Sequence, residues 1–213
     1  MLRGLLTGSA IATTLVVLGG GPEPAQAAPC PPLTITNSAG NLSIQGTSPC
    51  DSDPESFKVS CSGGTVQVEY SVNYSLPATT DTLVACGSPN RITVLGNYGD
   101  DVIDLSSVTR AAGFSGITQN TLDGGAGGDF LIGSPLPDAV LGGSGIDVLR
   151  LRDGVADTAD CGADYDAVES DQARVDSLVN CEIVDYAPSP AAAAAKKCKK
   201  KHRQKHRCKK RHR

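Results

Sequence analysis

The chain has 213 residues and a formal charge of −4, with 24 glycines, 13 prolines, eight cysteines and no tryptophan. That near-neutral charge hides a division: twelve of the nineteen Lys and Arg residues lie from Lys196 to Arg213, whereas residues 28–195 carry six basic and twenty-two acidic side chains, a net −16. All three histidines fall in the same tail, so the body lacks the usual general base and the usual zinc ligand, and it holds neither a G-x-S-x-G elbow nor an H-E-x-x-H helix; the composition argues against an enzyme.

Residues 1–27 read as an export signal. Arg3 supplies the positive start, Leu5 to Leu18 a short apolar core, and Ala25-Gln26-Ala27 a small-residue cleavage site. The core is too short, and too broken by Gly and Thr, to cross a bilayer, and no other stretch approaches membrane length, so no span is expected in the mature chain. The protein is therefore expected to be secreted, extracellular or held at the cell surface, with its cysteines in an oxidising compartment.

Residues 28–95 read as short strands at 33–36, 42–45, 57–61, 65–73, 83–86 and 91–95, separated by turn signals such as Ala39-Gly40-Asn41 and Ser62-Gly63-Gly64. They are expected to form a β-rich N-terminal cap, because the end of a repeat array must be covered by atypical structure. A separate small sandwich is the alternative.

Residues 96–186 carry the signal that organises the chain. Residues 124–150 divide into three units of nine, GGAGGDFLI, GSPLPDAVL and GGSGIDVLR, with Asp129, Asp138 and Asp147 at the sixth position and Leu131, Val140 and Leu149 at the eighth. Weaker units place Asp157, Asp166 and Asp176 in the same phase at intervals of nine or ten, and GNYGDDVID places Asp101 upstream. Solvating charge has no reason to keep phase. Glycine permits the positive φ of a tight turn, and the turn offers carbonyl and carboxylate oxygens, the hard ligands calcium prefers.

The run 124–150 resembles the calcium-binding nonapeptide repeat of RTX (haemolysin- and serralysin-type) proteins. The resemblance implies a short right-handed parallel β-roll, an all-β solenoid with two units per coil and Ca2+ between stacked turns. It nominates Asp129, Asp147 and Asp166 as metal ligands, with Asp101 in its isolated unit and the turns containing Gly125, Gly127, Gly143 and Gly145. Leu136 and Pro137 spoil the middle unit, so calcium is expected mainly along one edge, with Asp138 and Asp157 ranking behind; Cys161 and Asp164 replace glycines in the third turn. The family's toxin and protease activities belong to other domains and do not carry over, and its members generally leave by a C-terminal signal, unlike this chain.

Among the cysteines, Cys161 and Cys181 lie about one coil apart and are expected to pair. Cys30, Cys50, Cys61 and Cys86 allow three pairings, of which Cys30–Cys50 with Cys61–Cys86 is the simplest. Cys198 and Cys208 are free to join each other or another chain. Residues 187–195 form a Pro/Ala linker. The basic tail, 196–213, is expected to be disordered by its own repulsion. It suits attraction to an anionic cell-wall polymer or polysaccharide, and without interleaved aromatics it suits no specific nucleic acid. The functional expectation is a calcium-binding protein, structural or adhesive at the envelope. The alternatives are a carbohydrate-binding module and, behind it, a calcium-dependent polysaccharide-active enzyme.

Overall fold

A computed structural model describes residues 13–16, 33–46, 53–73, 77–172 and 175–188. Cys30, Cys50, most of the proposed export signal and linker, and the whole basic tail lie outside the described residues. Within them there is no helix, and sixteen strands make two eight-stranded sheets.

The first sheet runs in the order β1 (Thr13–Val16), β2 (Thr34–Ser38), β3 (Asn41–Gln45), β7 (Arg91–Tyr98), β9 (Asn120–Ala126), β11 (Asp138–Ser144), β13 (Thr158–Ala163) and β15 (Ser177–Val179). The second runs β16 (Ile183–Tyr186), β14 (Ala167–Ser170), β12 (Val148–Arg150), β10 (Phe130–Ile132), β8 (Val102–Asp104), β4 (Glu55–Ser62), β5 (Thr65–Val72) and β6 (Ala78–Ala85). From β7 onward the chain alternates between the sheets, and from β9 onward each strand pairs in parallel with the one laid down two strands earlier. The register follows the repeat, for Phe130 pairs with Val148 and Asn120 with Asp138.

The expectation of a simple right-handed parallel β-roll is thereby corrected. Both sheets are mixed, because β2–β3, β4–β5 and β5–β6 pair antiparallel. Their turns give the reason. Ala39-Gly40 and Gly63-Gly64 each put two consecutive residues at positive φ, the two-residue reversal that joins antiparallel neighbours; parallel neighbours need a longer crossover. The early strands also continue the same two sheets, since β3 pairs in parallel with β7 and β4 with β8.

Alternation along each strand sends one side chain in two toward the space between the sheets. Ile44, Val94, Leu122, Val140 and Ala159 stand in register in the first sheet, and Phe57, Ile103, Leu131, Leu149 and Val168 in the second, all buried. Seven of them, Val140, Ala159, Phe57, Ile103, Leu131, Leu149 and Val168, stand two places after an acid; Ile44, Val94 and Leu122 follow Leu42, Ile92 and Asn120 instead. Phe114, Ile117 and Val108, from the long connection between β8 and β9, are buried in the same cluster.

Among the described residues two disulfides fasten the two halves. Cys61 bonds Cys86, and Cys161 on β13 bonds Cys181 with its Cα 5.1 Å away. The second spans neighbouring rungs of one sheet, as the 20-residue separation requires, and a loop of that length contributes roughly 3 kcal/mol in the chain-entropy account.

Candidate metal centre

The phased acids form two buried columns, one along each edge where the chain passes from sheet to sheet. On the first edge the sequence-nominated residues Asp101, Asp129, Asp147 and Asp166 stack in order, each 2 % exposed or less. Asp129 Oδ1 accepts the Asp101 amide hydrogen, Asp147 Oδ1 that of Asp129, and Asp166 Oδ1 that of Asp147, each at 2.8 Å. The column continues at both ends with residues the repeat does not flag. Glu55 donates its amide to Asp101 Oδ1 at 2.8 Å, and Glu182 Oε2 accepts the Asp166 amide at 2.9 Å. Both keep the shorter pattern acid-x-apolar (Glu55 before Phe57, Glu182 before Val184), and that pattern, without the glycines, is the signal that would have found them.

One oxygen of each aspartate is thus committed to the backbone. The other, Oδ2 of Asp101, Asp129, Asp147 and Asp166, is buried with no hydrogen-bond partner. Buried polar atoms left unpaired are rare and expensive. The space beside these oxygens is kept open by glycine. A Cβ at Gly142 would stand 2.6 Å from Asp147 Oδ2 and strike the Cys161 carbonyl, and one at Gly124 would strike Asp129 Oδ2 and come within 2.7 Å of the Gly142 carbonyl. Cys161 carries a Cβ at that place in the next rung, so the setting of Asp166 differs.

The nominated turn glycines serve a second purpose. Gly125, Gly127, Gly143 and Gly145 all have positive φ. Rungs stack so closely there that a Cβ on Gly143 would strike the Gly125 carbonyl and one on Gly145 the Gly127 carbonyl. Asp164 takes the equivalent place in the next turn at φ 89, its Oδ2 accepting the Gly145 amide at 3.1 Å. Asn97 stands opposite Gly125 at φ 80.

The second edge carries Asn120, Asp138, Asp157 and Asp176. Asp157 Oδ1 accepts the Asp138 amide at 2.9 Å, and Asp176 Oδ1 that of Asp157 at 3.2 Å. Asp138 is well supplied with donors, from Asn120 Nδ2 (2.9 Å), the Ser134 amide (2.6 Å) and the Ser134 hydroxyl (3.0 Å). Asp157 is not: its Oδ2 is buried without a partner. Asp153, from the loop after β12, completes the group, and one oxygen each from Asp138, Asp153 and Asp157 lie within 4.8 Å of one another. This cluster could hold a metal ion, and it lies on the edge opposite the column of Asp101, Asp129, Asp147 and Asp166. A straight column cannot gather three carboxylates so closely, because its members are spaced by the strand separation of about 4.8 Å. A loop residue must curl in, and Asp153 does.

Burial dominates the electrostatics. It pushes the carboxyls of Asp101 and Asp129 up to about 7, Asp147 and Asp138 to about 6, and Asp157 to about 8. Hydrogen bonds from the protein act against the rise, and neighbouring acids add to it. Asp153 is also raised, by burial first and then by Asp171 and Asp176. Hard oxygen atoms, unpaired and close together, suit a hard divalent cation whose charge would offset both burial and mutual repulsion.

No known protein family, curated protein or solved structure matches the chain. The disulfides suggest an oxidising, extracellular environment. Among the described residues no helix is long and apolar enough to cross a membrane.

Proposed function

We propose that this is a secreted calcium-binding protein, structural or adhesive at the cell envelope, whose sheets are held together edge by edge by Ca2+. The observation that carries the reading is the first-edge column, in which Asp101, Asp129, Asp147 and Asp166 each tie one carboxylate oxygen to the backbone and leave the other buried and unpaired. The calcium ligands are Asp101, Asp129, Asp147 and Asp166 with carbonyl oxygens of the glycine turns, and Asp138, Asp153 and Asp157 on the second edge. The resemblance of residues 124–150 to the RTX nonapeptide supports calcium over other divalent ions. The basic tail, opposite in sign to the body, retains the protein on anionic wall polymer or polysaccharide.

Asp147 sits between two rungs and touches both, so Asp147→Asn is the discriminating variant. Asparagine keeps an oxygen for the Asp129 amide and removes the charge. Calorimetric titration with calcium should show affinity on this edge reduced about tenfold or more, in the range where extracellular sites bind at roughly 0.1–1 mM. An unchanged titration would contradict the assignment. Deleting residues 196–213 should abolish retention on cells or anionic polymer and leave calcium binding intact.

A further inference from the structure

Residues 28–195 hold six basic side chains, and two of them, Arg150 and Arg152, line one cavity of about 270 Å³ beside the second-edge cluster. Ile132, Ser134, Asp153 and Glu169 line it with them. Asp153 therefore belongs to two places at once, the cavity wall and the carboxylate group with Asp138 and Asp157. Asp157, 2 % exposed and with its Oδ2 unpaired, is the buried group in that cluster still lacking a partner. Ser134 joins the two from the other side, lining the cavity while its amide and hydroxyl hold Asp138.

The arginines are poised and incompletely used. Arg150 lies 4.7 Å over the Phe130 ring with its Nε 3.7 Å from Glu169, and half of its side chain remains exposed. Arg152 pairs with the Asp185 carboxylate at 3.1 Å, donates from Nη2 to the Asp185 carbonyl and from Nε to the Ser170 carbonyl at 3.3 Å, and keeps Nη1 uncommitted. A guanidinium has five donors in a planar fork suited to carboxylate, so both retain donors for a ligand. Without an ion, Asp153 and Glu169 on the cavity wall and Asp185 beside Arg152 outnumber the two arginines. A divalent ion on the cluster offsets Asp153 and removes the excess negative charge that would repel an anion from the arginines.

We infer that this cavity is a calcium-dependent binding site for a uronate unit of an acidic polysaccharide, its carboxylate bound by Arg150 and Arg152 and its ring laid against Ile132. This rests on the reading of the second edge as a cation site. The cavity falls below the roughly 300–1,000 Å³ of a drug-sized pocket, so it takes one sugar ring at a time. The carboxylate selects uronates over neutral sugars because the arginines are rewarded only by an anion.

The test is calorimetry on the full-length protein with galacturonate and digalacturonate, using glucose as the neutral control, at 1 mM calcium and again in excess chelator. Expected are uronate binding in calcium, at least tenfold weaker binding in chelator, and at least tenfold weaker binding for Arg150→Gln. Arg152→Gln is the second variant, accepted once its melting temperature matches wild type. The basic tail is the same in every sample, so its attraction for anions cancels between variants. Equal heats for glucose and galacturonate, or arginine variants that titrate like wild type, would overturn the inference. A calcium titration of the same samples separates the two failures. Calcium binding without uronate binding removes the sugar site alone, and no calcium binding removes both.

Discussion

On the first edge, glycine turns let the rungs stack until carbonyl meets Cα, and every buried aspartate keeps one unpaired oxygen. On the second edge, Asn120 and Ser134 satisfy Asp138, Asp157 alone keeps an unpaired buried oxygen, and a loop brings Asp153 in to make a compact group of three. The same acid-x-apolar rule builds both columns. What differs is the turn: a regular turn gives a continuous ladder of equivalent settings, and an irregular one gives a single local cluster with room for a cavity beside it. Regularity spreads the capacity for cations along the molecule, and irregularity concentrates it.

The sharpest way to break this comparison is to substitute a glycine on each edge. Gly143→Ala must adopt φ 117 and drives its Cβ into the Gly125 carbonyl, so backbone must move. Its cost in denaturant unfolding should be roughly 3 kcal/mol or more, strain and clash together. Gly154, in the loop that carries Asp153, also has positive φ (91°) but open space within 4 Å. Gly154→Ala should cost about 1 kcal/mol, from strain alone. Equal costs would mean that the close stacking of the first edge is not what its glycines serve.

A smaller effect sharpens the electrostatic side. The raised carboxyls of Asp101, Asp129, Asp138, Asp147 and Asp157 mean that the metal-free fold holds protons the unfolded chain has already released at the ordinary carboxylate value of 3.8. Stability conferred by those protons is complete below that value and is lost as pH rises through about 6 to 8. Melting temperature in chelator should therefore fall from pH 5 to pH 8, and calcium should flatten the profile by replacing the protons. A flat profile in chelator would show that the columns are solvated in solution.

Much of this architecture was legible in the sequence, and the reasons are local. Strands at 33–36, 42–45, 57–61, 65–73 and 91–95 fall on β2, β3, β4, β5 and β7, because alternation and turn residues act over a few positions. Cys161–Cys181 follows from spacing, and Cys61–Cys86 belongs to the simplest of the three pairings that the sequence allows. The nine-residue phase placed Asp129, Asp147 and Asp166 in one column. The mixed character of the sheets was not read. Ala39-Gly40 and Gly63-Gly64 mark turns in the sequence, but that each pair sits at positive φ and reverses the chain is visible only in the fold. Asp153 was also missed, since it stands at the second place of a degenerate unit and reaches the cluster through the course of its loop. Glu55 escaped because 46 residues separate it from Asp101 with no repeat between to carry the phase.

The central claim is that cations bind the folded columns and hold the rungs together. It is tested by scanning calorimetry at pH 7.5 on the disulfide-intact protein, once in 1 mM calcium and once in excess chelator. A site with a constant near 0.1 mM stabilises by roughly 1.4 kcal/mol at that concentration, and each kcal/mol moves a domain of this size by about 2–4 °C. With several sites occupied, calcium should raise the melting temperature by several degrees, and Asp147→Asn should show a smaller rise. Identical melting temperatures in calcium and chelator would contradict the account.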